Sequence, residues 1–258
     1  DFGVMADVVI NHGSSKGKWF NNFIKGKGKG HDYFLNFDEK FDVSKVVRPR
    51  TSDLLNSFDT NAGDTTIDTV LLGSPATVGL SSSSATGDTI FNNMKTIVDA
   101  EMRNGAGNLT LTYNGEGSIT GSADTQNLTV SALTAGTFTS DGIETFNVKS
   151  ELSKSTITAT ASNALKYYNV TGSANLTNST ALVWAATGNG TDFDGYVDAS
   201  AFTGNLDIDV SGTTSTVDVK GGTGDDIFKF AGTLTKNDKI DGGAGTDAVE
   251  ITVHDEIG

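Results

Sequence analysis

The sequence predicts a mainly β chain: an irregular parallel β-helix or solenoid that ends in a short glycine-rich β-roll and is preceded by a small α/β fragment. Three observations predict it. From Asn56 onward, short alternating apolar and polar runs are separated by Gly, Asn, Asp and Ser, the pattern of many half-buried strands. The triplet Asn-Leu-Thr recurs at Asn108, Asn127 and Asn175, with Asn-Leu-Asp at Asn205, the trace of a repeat whose period is not constant. The first 55 residues differ in texture: aromatics cluster there, lysine alternates with glycine in KGKGKG, and one apolar run, Val4 to Ile10, reads as a strand buried on both faces. A β-sandwich is the rival architecture for the β-rich part, since irregular strand spacing suits it too.

Composition narrows the function classes. The chain has 258 residues, 31 glycines, two prolines and no cysteine, which leaves room for one or two cores and excludes thiolate zinc sites and thiol nucleophiles. The formal charge of -14 is uneven: residues 1 to 55 hold nine Lys/Arg and seven Asp/Glu, whereas residues 56 to 258 hold nine and twenty-five. So acidic a segment repels nucleic acid and anionic membranes and gains from divalent cations. No apolar run approaches the roughly 20 residues of a membrane span. The start, DFGVMADVVINHG, has neither a basic leader region nor an initiating methionine and reads as a cut end.

Taken in order, residues 1–55 read as the α/β fragment: the strand, a short helix around Lys18 to Ile24 and a loop. Asp7, Asn11 and His12 stand at the end of the strand, and the string DVVINH resembles the first conserved region of glycoside hydrolase family 13, the α-amylase family. The stretch HDYF followed by FDVSKVVRPRTSDLL is similar to sucrose phosphorylases and their glucoside-phosphorolysing relatives. The resemblance covers about one fifth of the chain. It implies a piece of a (β/α)8 barrel, a cytoplasmic family, a sugar pocket contacted by His12 and supported by Asp7 and Asn11, and an acceptor side touched by Arg48 and Arg50. Retaining glycoside chemistry needs two carboxylates about 5 Å apart. No nucleophile or acid motif follows from Asn56 onward, so catalysis is not expected of the chain as it stands. His31 and His254 have no metal-ligand spacing and read as surface residues.

Residues 56–106 read as a linker carrying one amphipathic helix. Ser74 to Gly87 is loop-like, and Phe91, Met94, Ile97, Val98 and Met102 recur at helical spacing before the stop Asn104-Gly105, which predicts a core-packing helix over 89–103. Residues 107–220 carry the clearest alternation, as at Leu109, Leu111 and Tyr113, at Leu128 and Val130, and at Leu206, Ile208 and Val210. They read as the solenoid, with threonines on its outward positions. Asp192, Asp194 and Asp198, or Asp207 and Asp209, are either further ion sites or solvated faces of acidic strands.

Residues 221–258 hold GGTGDDIFK from Gly221 and GGAGTDAVE from Gly242, both matching G-G-x-G-x-D-x-U-x, in which U is a large apolar residue, at every fixed position. Glycines permit a tight bend that turns carbonyl oxygens toward one spot, and an aspartate adds a charged oxygen there. One bend offers too few ligands for calcium, so Gly221, Gly222, Gly224 and Asp226 are expected to share an ion with Gly242, Gly243, Gly245 and Asp247. A loop around Thr235 to Asp238 absorbs the excess over an 18-residue repeat. Phe228 and Val249 point the other way, into the core. The alternative is a Gly/Asp-rich hairpin that binds nothing.

Together with FTSDGIETFNV and LKYYNVTGSANLT, these segments resemble calcium-binding surface-layer and adhesin-like proteins with RTX repeats, over most of residues 107–258. The resemblance implies a secreted bacterial protein at the cell surface, a non-catalytic structural role, Ca2+ as the bound ion, and self-assembly or a cell-surface polysaccharide as partner. Two rival readings stand beside it: a truncated carbohydrate-active enzyme of the α-amylase family, and two unrelated coding regions joined near residues 56 to 64. Sequencing one intact clone across the junction separates the last from the others.

Overall fold

The computed structural model describes residues 18, 21–22, 25–28, 65–69, 75–83, 87–114, 119, 121–185, 193–212 and 216–252. The chain divides into two compact units, Asp1–Ser52 and Asp53–Gly258. In the first, Lys18, Asn21 and Asn22 are helical, inside the helix expected around Lys18 to Ile24. The expected strand and the loop that would complete the barrel fragment lie outside the described residues.

The second unit is built of strands. In chain order they are β1 (Thr65–Asp68), β2 (Thr77–Ser81), β3 (Asp88–Met94), β4 (Asp99–Arg103), β5 (Asn108–Tyr113), β6 (Thr125–Ser131), β7 (Thr137–Ser140), β8 (Thr145–Ser150) and β9 (Ser155–Ile157). There follow β10 (Ala159–Ala161), β11 (Tyr167–Gly172), β12 (Leu176–Asn178), β13 (Gly195–Asp198), β14 (Leu206–Asp209), β15 (Val217–Lys220), β16 (Ile227–Ala231), β17 (Lys239–Asp241) and β18 (Ala248–Ile251). They pair into three sheets: β1-β3-β5-β7-β10, the eight-stranded β17-β15-β13-β11-β8-β6-β4-β2, and β18-β16-β14-β12-β9. Every described pairing is parallel. The chain therefore winds as a parallel β-solenoid of about seven turns, the eight-stranded sheet forming one wall throughout.

The opposite wall changes hands once. After β8 the chain makes two short strands separated by Thr158, of which β9 opens the C-terminal sheet and β10 closes the N-terminal one. Turn length varies to match: equivalent residues recur after 20 residues at Asn127 and Asn147, after 22 at Asn147 and Asn169, and after 30 at Asn175 and Asn205.

Alternation explains the core. Inward positions of the long sheet stack in rows, one of them Gln126, Phe146, Tyr168, Val197, Val219 and Ile240, each directly over the last. Phe146 meets Phe138 of the facing sheet edge-on, with ring centroids 5.7 Å apart. Gln126, a polar member of this row, is bonded across the core: the Tyr113 hydroxyl donates to its Oε1 at 2.6 Å, and its Nε2 donates to the Val98 carbonyl at 2.6 Å. Burial pushes the Tyr168 hydroxyl up to about 12, so it stays protonated and can bond Thr160 Oγ1 at 3.3 Å.

On the outward face of the same sheet the asparagines form a ladder. Asn127 Nδ2 donates to Asp99 Oδ1, Asn147 Nδ2 to Asn127 Oδ1, and Asn169 Nδ2 to Asn147 Oδ1, each at 2.9 Å. Asn147→Ala breaks two of these bonds and is expected to cost about 1–2 kcal/mol in urea denaturation. An unchanged midpoint would show that the ladder contributes nothing.

The helix expected over 89–103 is absent, and β3 and β4 occupy that segment. Phe91 and Met94 both face the core because the ladder to β5 slips between them, where Asn93 takes a left-handed φ of 59°. After this slip and a second bend, the buried residues Val98, Ala100 and Met102 alternate as a strand requires. Two irregular strands in series had imitated a helical spacing. The linker reading fails with it, since the solenoid already begins at Thr65 and Thr77–Ser81 within the expected loop is β2.

Candidate metal centre

Both glycine-aspartate bends lie at one edge of the solenoid, between the long sheet and the C-terminal sheet. Gly221 to Asp226 links β15 to β16, and Gly242 to Asp247 links β17 to β18. They belong to consecutive turns and stack in register, Asp226 over Asp247 across 21 residues. The excess length is taken up where expected: Thr235 N–H donates to Asp238 Oδ2 at 2.6 Å and closes a tight turn there.

Glycine is required by the stacking. A side chain on Gly221 would collide with the carbonyl oxygen of Gly242 and come within 2.6 Å of Asp226 Oδ2; one on Gly243 would strike the Gly222 carbonyl, at a φ of 84° that disfavours side chains anyway. Gly245 lies as tightly against the carbonyl of Gly224. Oxygens of two successive bends thus crowd the same glycine Cα.

The aspartates are fixed by backbone amides. Asp226 is fully buried; its Oδ1 accepts the Leu206 N–H at 2.8 Å and its Oδ2 the Gly222 N–H at 2.8 Å. Asp247 Oδ1 accepts the Asp226 N–H at 3.0 Å, while its Oδ2 lies beside Gly242. Desolvation raises the Asp226 carboxyl above the ordinary carboxylate value, and the charges of Asp247 and Asp225 push the same way, against the two amide bonds. A carboxylate has about four acceptor sites, so two remain on Asp226 after both amides are served. Among the described residues no three His, Cys, Asp or Glu gather as a metal-ligand group. A cation here would draw mainly on carbonyl oxygens, with Asp226 and Asp247 supplying the charge, a donor set that suits a hard oxygen-seeking ion.

The stack continues upstream in a form the nonapeptide pattern does not reveal. Thr223 N–H bonds the Phe202 carbonyl at 3.1 Å, Gly224 packs on Gly204, and Asp225 N–H donates to Asn205 Oδ1 at 3.2 Å. Asn205 N–H in turn donates to Asn175 Oδ1 at 3.0 Å, and Thr246 N–H to Asp225 Oδ1 at 2.8 Å. Asn175, Asn205, Asp225 and Thr246 form one column, and Leu176, Leu206, Asp226 and Asp247 form the next. The Asn-Leu doublets are the signal that would have found them.

The other acidic groups have local partners. Asp198 Oδ1 accepts the Ser200 hydroxyl at 2.6 Å and its N–H at 3.0 Å, and the hydroxyl, with the N–H adding to it, holds its carboxyl below the usual range. Asp209 binds Ser211 in the same way, and Asp207 pairs with Lys229. Asp192 lies outside the described residues, as do the sugar-site residues Asp7, Asn11, His12, Arg48 and Arg50. No helix among the described residues is long and apolar enough to cross a membrane.

Part of the chain is similar to glucosylglycerate phosphorylases. It is 38% identical over 63 residues to that of Spirochaeta thermophila, 39% over 64 residues to that of Allomeiothermus silvanus and 40% over 55 residues to that of Escherichia coli. These matches cover 24%, 25% and 21% of this chain but only 11%, 12% and 10% of the phosphorylases. The chain thus spans about a tenth of the length of these relatives, and the short matches fit the α-amylase-family resemblance of the first segment. No protein-family model and no solved structure matches the chain.

Proposed function

We propose that the solenoid is a non-catalytic, calcium-stabilised structural protein of the surface-layer or RTX type, acting outside the cell. One observation carries the reading: the Gly221–Asp226 and Gly242–Asp247 bends stack in consecutive turns, with a buried carboxylate at Asp226 and the Gly242 carbonyl both crowding Gly221. A divalent ion between the bends would offset the desolvation of Asp226 and the repulsion from Asp225 and Asp247, so binding and folding are coupled there. A parallel solenoid, with rigid walls and short turns, is suited to a structural role.

Thermal melting of the full chain tests this. Extracellular calcium modules bind at about 10⁻⁴ to 10⁻³ M. At tenfold excess over such a constant the melting temperature is expected to rise by about 3 to 6 °C, with less effect from magnesium. No shift with calcium, and no heat on titration, would sink the proposal.

The phosphorylase matches favour a second reading, in which the first segment derives from a glucosyl-transferring enzyme and Asp7, Asn11, His12, Arg48 and Arg50 border its sugar pocket. Incubation with glucosylglycerate and phosphate is expected to release no glucose 1-phosphate. Measurable release would overturn the non-catalytic reading.

A further inference from the structure

The asparagine ladder on the outer face of the long sheet stops at a mismatch. Asn127, Asn147 and Asn169 pass hydrogen bonds from turn to turn, each Nδ2 donating to the turn before. The residue in register after Asn169 is Asp198, whose carboxylate has no donor to continue the chain. Among the described residues nothing donates to Asn169 Oδ1, and Asp198 is engaged only through its Oδ1, which accepts from Ser200. Two open acceptors therefore stand on adjacent strands, whose backbones lie about 4.8 Å apart.

Two aromatic rings lie beside them. Tyr167 and Tyr196 stand two residues earlier on β11 and β13, on the same outer face, and stack with centroids 5.0 Å apart and planes at 20°. Phe193 meets Tyr196 edge-on at 5.7 Å, and Lys166 Nζ lies 5.7 Å from the Tyr167 centroid. The core tyrosines 113 and 168 bury and bond their hydroxyls, whereas Tyr167 is 38% exposed and neither outer phenol has a hydrogen-bond partner among the described residues. Rings held in this way offer rigid contact area, with a polar tip, at small entropic cost.

We propose that Tyr167, Tyr196, Asn169 and Asp198 form a binding site for one pyranose unit of a neutral polysaccharide, two adjacent sugar hydroxyls donating to Asn169 Oδ1 and Asp198 Oδ2 while the C–H surface of the ring rests on the tyrosines. Chemistry selects the occupant. Two neighbouring acceptors need a ligand with two neighbouring donors, and a vicinal diol is such a group. An added peptide strand would need an open sheet edge, but β11 and β13 are paired on both sides. A metal ion would find a single carboxylate, with Lys220 in register on the next turn to compete for it. That carboxylate also disfavours an anionic polymer. Sugar binding here needs no ion at the glycine-aspartate bends.

The experiment is affinity electrophoresis of the full chain through gels holding mannan, galactan or dextran, with saturation-transfer NMR on the matching oligosaccharides. Retardation in at least one gel is expected, with a dissociation constant of about 10⁻³ M per sugar unit. Tyr167→Ala, outside the core, should weaken binding by about tenfold and leave the circular dichroism unchanged. Asp198→Asn introduces an amide that can donate to Asn169 Oδ1 while its own Oδ1 keeps Ser200, extending the ladder by one rung. It should weaken sugar binding by about tenfold or more yet unfold at the same or higher urea concentration. Migration indifferent to all three polymers would overturn the proposal. So would retardation that survives either substitution, the sign of sugar bound elsewhere, or retardation by polygalacturonate alone, the sign of a site for anions.

Discussion

Asp226→Ala is expected to destabilise the chain by about 2–5 kcal/mol even without calcium, and to abolish the thermal response to the ion. Two buried amides, Leu206 N–H and Gly222 N–H, lose their acceptor together, and each unsatisfied donor costs about 1–3 kcal/mol. The loss would be read from urea denaturation in chelator. Calcium dependence separates bracing from binding: a variant that is destabilised yet still gains stability from calcium would leave Asp226 as a brace alone. The sign of the pH effect follows from burial. Because the folded state raises the Asp226 carboxyl, its contribution is largest below the unfolded carboxylate value and is lost as pH rises through the folded one. In chelator, wild type should therefore lose melting temperature relative to Asp226→Asn as pH climbs from the ordinary carboxylate value toward neutrality. A pH-independent difference would contradict the raised value.

Phe146→Ala should be at least as damaging, at about 3–5 kcal/mol. Its ring is fully buried, stacked in register between Gln126 and Tyr168 and set edge-on against Phe138 from the facing sheet. Removal opens a cavity that the rigid ladders on either side cannot close. In a solenoid each turn contacts only its neighbours, so the damage should appear first as lost amide protection in β6, β8 and β11. Uniform loss over the whole unit would point to one cooperative core instead.

Much of the wall was legible beforehand because a half-buried strand alternates in its own residues. Leu109 and Leu111, Leu128 and Val130, and Phe228 and Phe230 are all inward and buried as their spacing implied. Irregularity is where reading by period failed. At Asn93 the ladder slips, and Phe91 and Met94 keep one face at a spacing that helices also show. Val249 stacks on Phe228 in the last described turn and is 44% exposed, where the alternation alone placed it in the core.

The candidate site divides in the same way. Glycine and aspartate types alone announced two bends, since only glycine tolerates the close approach of Gly222 to Gly243 and a carboxylate bonds amides within its own turn. What the sequence by itself determined is this local chemistry: the alternating strands, the acidic excess and the pair of bends. The tertiary structure alone decided that Asp226 is the buried carboxylate, and that Asn175, Asn205 and Asp225 stand in one column upstream of the paired bends. Stacking partners lie 20 to 30 residues apart along turns of unequal length. Their register is set by packing across the whole turn, which no local pattern encodes.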